Sequence, residues 1–233
     1  MSSCPSDSAP DQRHIVRVRA LSEVRQPLLA ALDRAQHLGF LGPKDIEVQL
    51  AHSVAFAELT ARLLTSASPI GGVRIADLGS GGGIPGLVIM MLLPWTEVCF
   101  VDSSQKRMAI LREQLQQLEL EGRSSVVCIR AEAFGRAESS RGAFDAVVAR
   151  GFAGPGVTAE CAAPLLRPDG FLVVSDAPEE HLDRWPISGL RQLGLVVQER
   201  VSAPFHFFVG RQEADCPDRY PRRIGIPEKR PLF

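Results

Sequence analysis

The sequence predicts an α/β fold: a mostly parallel, seven-stranded sheet covered by helices on both faces, preceded by a helical extension. Three observations predict it. From Val73 onward, short apolar runs alternate with longer amphipathic stretches, the pattern of strands separated by crossover helices. A glycine-rich turn joins the first of these runs to a helix. The chain has 233 residues, 45% of them apolar and 23% charged, enough to bury a substantial core without covalent staples.

Residues 1–20 begin as a polar, Ser/Pro-rich segment expected to fray. From Leu21, apolar residues recur at Val24, Leu28, Leu32, Ala35 and Leu38, one face of a helix that Gly39 and Gly42-Pro43 stop. A second stripe, Ile46, Leu50, Val54, Ala57, Ala61 and Leu64, gives another helix, ending before the Ser/Pro and Gly-Gly breakers that follow. Residues 21–70 therefore read as an N-terminal helical extension. At Val73 the period changes, and Val73 to Leu78 is a strand. A helix follows from about Pro85 to Leu93, with Pro85 suited to the first helical position. Glu97 to Val101 is the second strand, ending at Asp102. Ser103 or Ser104 caps a helix with the stripe Met108, Leu111, Leu115 and Leu118, closed by Gly122. Strands are expected at Ser125–Arg130, Phe144–Ala149 and Gly170–Ser175, with a helix over Val157–Leu166 between the last two. Leu195–Val201 and Phe205–Gly210 form a closing antiparallel pair. Residues 71–216 thus make one α/β domain, and 217–233 a basic tail. Pro217, Pro221, Pro227 and Pro231 predict that this tail is extended rather than helical.

Composition excludes several classes. The longest apolar stretch, Ile84 to Trp95, is too short to span a bilayer, so no membrane partner is expected. The N-terminus has no basic segment followed by an apolar core, so no secretory signal is expected. The five cysteines (Cys4, Cys99, Cys128, Cys161 and Cys216) are widely spaced and form no C-x-x-C pair. They read as reduced thiols of a cytoplasmic protein, with neither a disulfide framework nor a metal site. The net charge of −1 hides an asymmetry. Residues 219–233 carry Arg219, Arg222, Arg223, Lys229 and Arg230 against Glu228, a local +4 that leaves −5 on the rest. A few placed cations, not a global excess, would have to hold any polyanion.

The segment Asp77-Leu78-Gly79-Ser80-Gly81-Gly82-Gly83-Ile84-Pro85-Gly86 lacks Cβ atoms at Gly79, Gly81 and Gly83, so a ligand can approach the main chain there. It satisfies G-x-G-x-x-G, the dinucleotide pattern, which alone is weak. Asp77 favours S-adenosyl-L-methionine over NAD, because a carboxylate suits a cationic amino-acid end and repels a pyrophosphate. Asp102, at the next strand end, can accept from both ribose hydroxyls of either cofactor. Phe144-Asp145-Ala146-Val147-Val148, then Leu165-Leu166-Arg167-Pro168-Asp169-Gly170, resemble the fourth and fifth strands of Rossmann-like class I S-adenosylmethionine-dependent methyltransferases. The fourth strand ends in Val148-Ala149-Arg150-Gly151-Phe152, without the Asp/Asn-Pro-Pro-aromatic tetrad that accompanies exocyclic-amine methylation. No Pro-Cys offers a nucleophile for cytosine C5. A ring nitrogen such as guanine N7 has no proton to lose, so orientation of an in-line transfer suffices without a general base.

At this point the sequence is similar to a specific family. The glycine loop, Val101-Asp102-Ser103-Ser104-Gln105-Lys106-Arg107, Arg130-Ala131-Glu132, Ala149-Arg150-Gly151-Phe152-Ala153 and Tyr220-Pro221-Arg222-Arg223-Ile224-Gly225-Ile226-Pro227 resemble the bacterial ribosomal RNA small-subunit methyltransferase G family. That family is also called glucose-inhibited division protein B. The resemblance implies methyl transfer from S-adenosyl-L-methionine to a guanine N7 in 16S ribosomal RNA, free or in the 30S subunit. It implies cofactor contacts at Gly79, Ile84, Asp102, Ser103 and Ser104, with Ala131 and Glu132 flanking the adenine. Arg150 would lie near cofactor and target base, positioning them rather than acting as a base. Three departures fall on RNA-facing positions: Leu38-Gly39-Phe40-Leu41-Gly42-Pro43, Ala51-His52 and Ser175-Asp176 stand where many members have Asn-Leu-Thr, Arg-His and Lys-Gly.

Candidate RNA contacts are Lys106, Arg107, Arg222, Arg223 and His52. Each has a plainer reading: a solvated helix face for Lys106 and Arg107, a strap with solvated charges for Arg222 and Arg223, a structural imidazole for His52. Phe152 either stacks on guanine or packs in the core, and Arg150 has burial beside Asp77 as its plain reading. Nothing calls for an obligate dimer, so a monomer is expected. The rival readings are a class I methyltransferase acting on a small molecule and a non-catalytic ribosome-binding module; an NAD oxidoreductase is disfavoured by Asp77.

Overall fold

The structure, a computed structural model, describes residues 18–66, 72–177 and 184–233. The expected frayed segment up to residue 17 and the breaker run 67–71 lie outside them. The elements are α1 (Leu21–His37), α2 (Ile46–Ser66), β1 (Val73–Leu78), α3 (Gly86–Leu92), β2 (Thr96–Asp102), α4 (Gln105–Gln117), β3 (Ser124–Cys128), α5 (Ala131–Arg136), β4 (Phe144–Ala149), α6 (Pro155–Ala162), β5 (Leu166–Ser175), α7 (Ile187–Arg191), β6 (Leu195–Val201), β7 (Phe207–Gln212) and α8 (Ile226–Lys229). They form one seven-stranded sheet of order β3-β2-β1-β4-β5-β7-β6. The first five strands run parallel, and β7 is antiparallel to both β5 and β6. The order reverses between β1 and β4, so the carboxyl ends of those strands open a crevice where such sheets bind ligands.

Alternate strand residues face opposite layers. Ile75, Val98, Phe100, Val148 and Val173 meet α1 to α4, whereas Ala76, Leu78, Val101, Val147 and Leu172 meet α5 to α7 and the C-terminal segment. The N-terminal helices are not a separate unit. Leu28 and Leu32 of α1 and Phe56 and Leu64 of α2 are fully buried in the same cluster as the first sheet face.

Several boundaries differ from the sequence reading for identifiable reasons. The helix expected over 157–166 spans only Pro155–Ala162, because Pro164 tightens the chain into a 3₁₀ turn and β5 starts at Leu166. β5 begins before the expected Gly170 because residues 167–170 bulge out: Leu166 pairs with Phe144 and Phe171 with Ala146. Pro85 precedes α3 instead of opening it. The amide of Gly86 instead donates to Asp77 Oδ2 at 3.0 Å. α5 and α7, at six and five residues, are too short to show a period and were not expected. The tail is not extended throughout. Gly225 takes a left-handed φ of 77° as the N-cap of α8, and Pro227 sits in the first turn, where its missing N–H is tolerated.

Candidate functional site

Parallel register brings three segments to one edge. Leu78 pairs with Val101 on one side and Ala149 on the other, so Gly79, Asp102 and Arg150 emerge together. The loop after β1 is tied to β2: the Gly79 and Ser80 amides both donate to the Val101 carbonyl, at 2.8 and 3.2 Å. Ser80 Oγ donates to the Asp77 carbonyl and accepts from the Val101 amide. The Gly81 amide donates to Asp102 Oδ2 at 3.1 Å. Gly79 has a φ of 70°, and a Cβ there would lie 2.7 Å from the Phe152 ring. Only glycine permits both that turn and that approach.

Two clefts flank this loop. The larger, about 500 Å³, is lined by Asp102 at the end of β2, Ser103 after it, Ala131 and Glu132 of α5, Phe152 after β4, and Glu228 and Pro231 of the C-terminal segment. The smaller, about 280 Å³, lies between the loop and the N-terminal helices, lined by Phe40, Leu41, Gln49, Gly81, Ile84 and Arg150. Gly79, Arg107 and Gly151 line both, so the clefts join beside the loop. No Asp, Glu, His, Cys, Lys or Tyr is among the described residues lining the smaller cleft.

The expected site residues divide accordingly. Asp102 Oδ1 accepts from the Ser104 amide at 2.8 Å, and Arg107 Nη1 lies 3.5 Å from Oδ2. Ser104 is the N-cap of α4, its Oγ accepting from the Arg107 amide. Glu132 is buried; its Oε1 accepts from Arg130 at 3.1 Å and from the Gly225 amide at 2.9 Å. Burial alone would raise its pKa, but these donors outweigh it and hold the carboxyl below its ordinary value. Arg150 is half-buried on the wall of the smaller cleft, and Nη2 donates to Gln49 Oε1 at 3.3 Å.

Four expectations are corrected. Asp77 lines neither cleft: it is fully buried, faces the α3 layer and caps α3 through Gly86. Burial pushes its carboxyl up to about 7, with the Gly86 amide opposing. It therefore shapes the loop instead of meeting a ligand's ammonium directly. Gly83 also lines neither cleft; a Cβ there would strike Leu87 and Leu111, at 2.5 and 3.1 Å, so this glycine serves packing. Arg222 is not available to phosphate. Its Nε and Nη2 grip the fully buried Glu160 at 2.8 and 2.6 Å, and its amide donates to the same carboxylate. His52 packs among Phe56, Phe205 and Phe207, with Nε2 3.1 Å from Ser175 Oγ. Burial, with Arg150 and Lys44 nearby, lowers its pKa to about 4, so it is a neutral, half-buried imidazole. Lys106, Arg107 and Arg223 are exposed.

Gln49, Glu160, Glu228 and Pro231 were missed. Gln49 carried a signal, because it lies three residues after Ile46 on the apolar stripe of α2, where a buried amide must find partners. The strap residues carried none, since nothing local in 217–233 says which wall it covers.

Comparisons with known proteins identify a family. The family model for rRNA small subunit methyltransferase G matches residues 37–182. A protein named ribosomal RNA small subunit methyltransferase G from Rubrobacter xylanophilus is 33% identical over 216 residues, covering 88% of this chain and 80% of its own. One of the same name from Prochlorococcus marinus is 36% identical over 167 residues, 68% of each chain. Among solved structures, an O-methyltransferase family protein from Burkholderia thailandensis superposes with a TM-score of 0.52 at 16% identity, covering 80% of this chain and 72% of its own; that likeness concerns the fold alone. With the family model spanning more than half of its length, the chain belongs to the rRNA small subunit methyltransferase G family.

Proposed function

We propose that this chain transfers a methyl group from S-adenosyl-L-methionine to N7 of a guanine in 16S ribosomal RNA, holding the donor in the larger cleft and the base in the smaller. The observation that carries the reading is the character of the smaller cleft, whose described lining offers donors, backbone and apolar surface but no general base. An amine, hydroxyl or thiol acceptor must shed a proton; guanine N7 presents a lone pair and sheds none.

The residues present fit the donor. The positive-φ turn at Gly79 brings the main chain to the junction of the clefts. Asp102 is the acceptor for vicinal hydroxyls. A carboxylate has about four lone-pair sites, and the 3.5 Å contact from exposed Arg107 is the one most readily displaced. Ala131 and Phe152 supply apolar surface for a purine, and Glu132 fixes the strap that completes the wall. S-adenosyl-L-methionine supplies an electrophilic methyl group on a sulfonium. Arg150 orients the base, and the Phe40–Leu41 wall excludes water from the attacking nitrogen. Lys106, Arg107 and Arg223 contact phosphates. Residues of one chain line both clefts, so a monomer suffices. Ribosomal RNA as the substrate places the reaction in the cytoplasm; among the described residues no helix is long and apolar enough to cross a membrane.

The test is methyl transfer from labelled donor to 30S subunits and to naked 16S RNA, with nucleoside mapping. Label at a guanine N7 and a single-turnover rate without a titrating base near neutrality are expected. Label on small molecules only, binding without turnover, or a bell-shaped chemical step would overturn the reading.

A further inference from the structure

Arg150 lines the smaller cleft, yet its guanidinium is not open as a fork. Nη1 is buried without a hydrogen-bond partner among the described residues, and Nη2 donates to Gln49 Oε1. Gln49 is 3% exposed, and its Nε2 donates to the carbonyls of Gly42 and Lys44 at 3.0 Å each. The same two carbonyls accept from Gln36 Nε2 at 2.8 Å. The 42–44 turn is therefore held from both α1 and α2, so Gln49 is not needed for that turn alone.

An unconstrained arginine beside guanine makes two parallel bonds, to O6 and N7. At this site that fork would occupy the lone pair that must attack the methyl group. We propose that Gln49 is a positioning residue for the acceptor: with Nη1 buried, the fork left to Arg150 is Nε with Nη2, and by taking the Nη2 hydrogen on the Nε side Gln49 denies it the O6/N7 pair and keeps N7 free. The inference rests on the guanine-N7 reading above. Nη2 retains a second N–H, enough for one bond to O6, so the base is gripped at the oxygen and left unencumbered at the nitrogen.

The test compares binding of the full chain to a 16S RNA fragment carrying guanine at the methylated position and to one carrying 7-deazaguanine, in which C–H replaces N7. The native chain should bind both within about twofold. Gln49→Leu should bind the guanine fragment about tenfold more tightly than the deaza fragment, the discrimination of a regained bidentate pair. Its single-turnover rate should fall at saturating RNA while half-saturation does not rise. Gln49→Glu keeps an acceptor for Nη2 but loses the donors to Gly42 and Lys44, so whatever its turnover, it should show no guanine preference in binding. Gln36→Ala, which loosens the same turn without releasing Arg150, should show no preference. A tenfold preference for guanine by the native chain or by Gln36→Ala would overturn the inference, as would a folded Gln49→Leu without one. The native comparison decides even where a variant fails to fold. Mapping the methyl in the native reaction separates the two readings: label away from N7 removes both, whereas label at N7 with no preference in Gln49→Leu removes only this one.

Discussion

The N-terminal helices and the C-terminal strap do similar work by different means. Each is an addition to the α/β core, and each supplies one wall of a cleft: Phe40, Leu41 and Gln49 on one side, Glu228 and Pro231 on the other. α1 and α2 are held mainly by apolar burial, with Leu28, Leu32, Phe56 and Leu64 sealed against the sheet. The strap is pinned largely by charged and polar contacts: Arg222 on Glu160, Gly225 on Glu132, and Arg141 on the carbonyls of Cys216 and Tyr220. Tyr220 and Phe233 add apolar anchorage. A basic tail that looks made for a polyanion thus spends one of its arginines on its own core.

Breaking each attachment should expose the difference. The largest effect is expected from Phe56→Ala. It removes a fully buried ring that packs edge-on against Phe207 and should cost about 4 kcal/mol, read as a lowered denaturant midpoint with little dependence on salt. Next comes Arg222→Ala, which strands the buried Glu160 carboxylate and should cost about 3 kcal/mol. Its further signature is weakened S-adenosylmethionine binding in calorimetry, because the strap walls the larger cleft. Unchanged donor affinity would show that the strap only covers the core.

Acid should separate the two attachments by window. His52 has a folded pKa lowered to about 4 against an ordinary 6.5, so the folded chain binds fewer protons than the unfolded chain in between. Its contribution is present above pH 6.5 and is lost as pH falls towards 4. Glu132 is held below its ordinary 4.5, so its contribution is present above that value and is lost only at lower pH. Hydrogen exchange should therefore loosen α2 around His52 first, with Gly225 following below about pH 4.5. Simultaneous loss would remove the distinction. The smallest effect concerns RNA: Arg223→Ala should lower the salt slope of binding by about 1. Arg222→Ala, with its guanidinium already committed to Glu160, should leave that slope unchanged.

Much of the fold was legible because it rests on local periodicity. The seven strands, the two leading helices and a serine cap at 103 or 104 follow from residue order alone, and the structure selects Ser104. The short helices α5 and α7 and the bulge at 167–170 did not, because each is set by what packs across from it. At the site, Asp102 and Gly79 were legible as strand-end residues. Asp77 and Gly83 belong to the same motif, but they face the core layer and were misread as ligand contacts.

By itself, then, the sequence determined the succession of strands and helices, the glycine turn and the kinship of the chain, since these depend on spacing within a few residues. Only the tertiary structure decided which charges are free. Arg222 and Arg223 are neighbours in a basic run, yet one is bound to a buried carboxylate 62 residues away and the other is exposed. The reason is physical: whether a cation is available depends on the nearest anion in space, and burying Glu160 without a partner would cost more than committing an arginine to it.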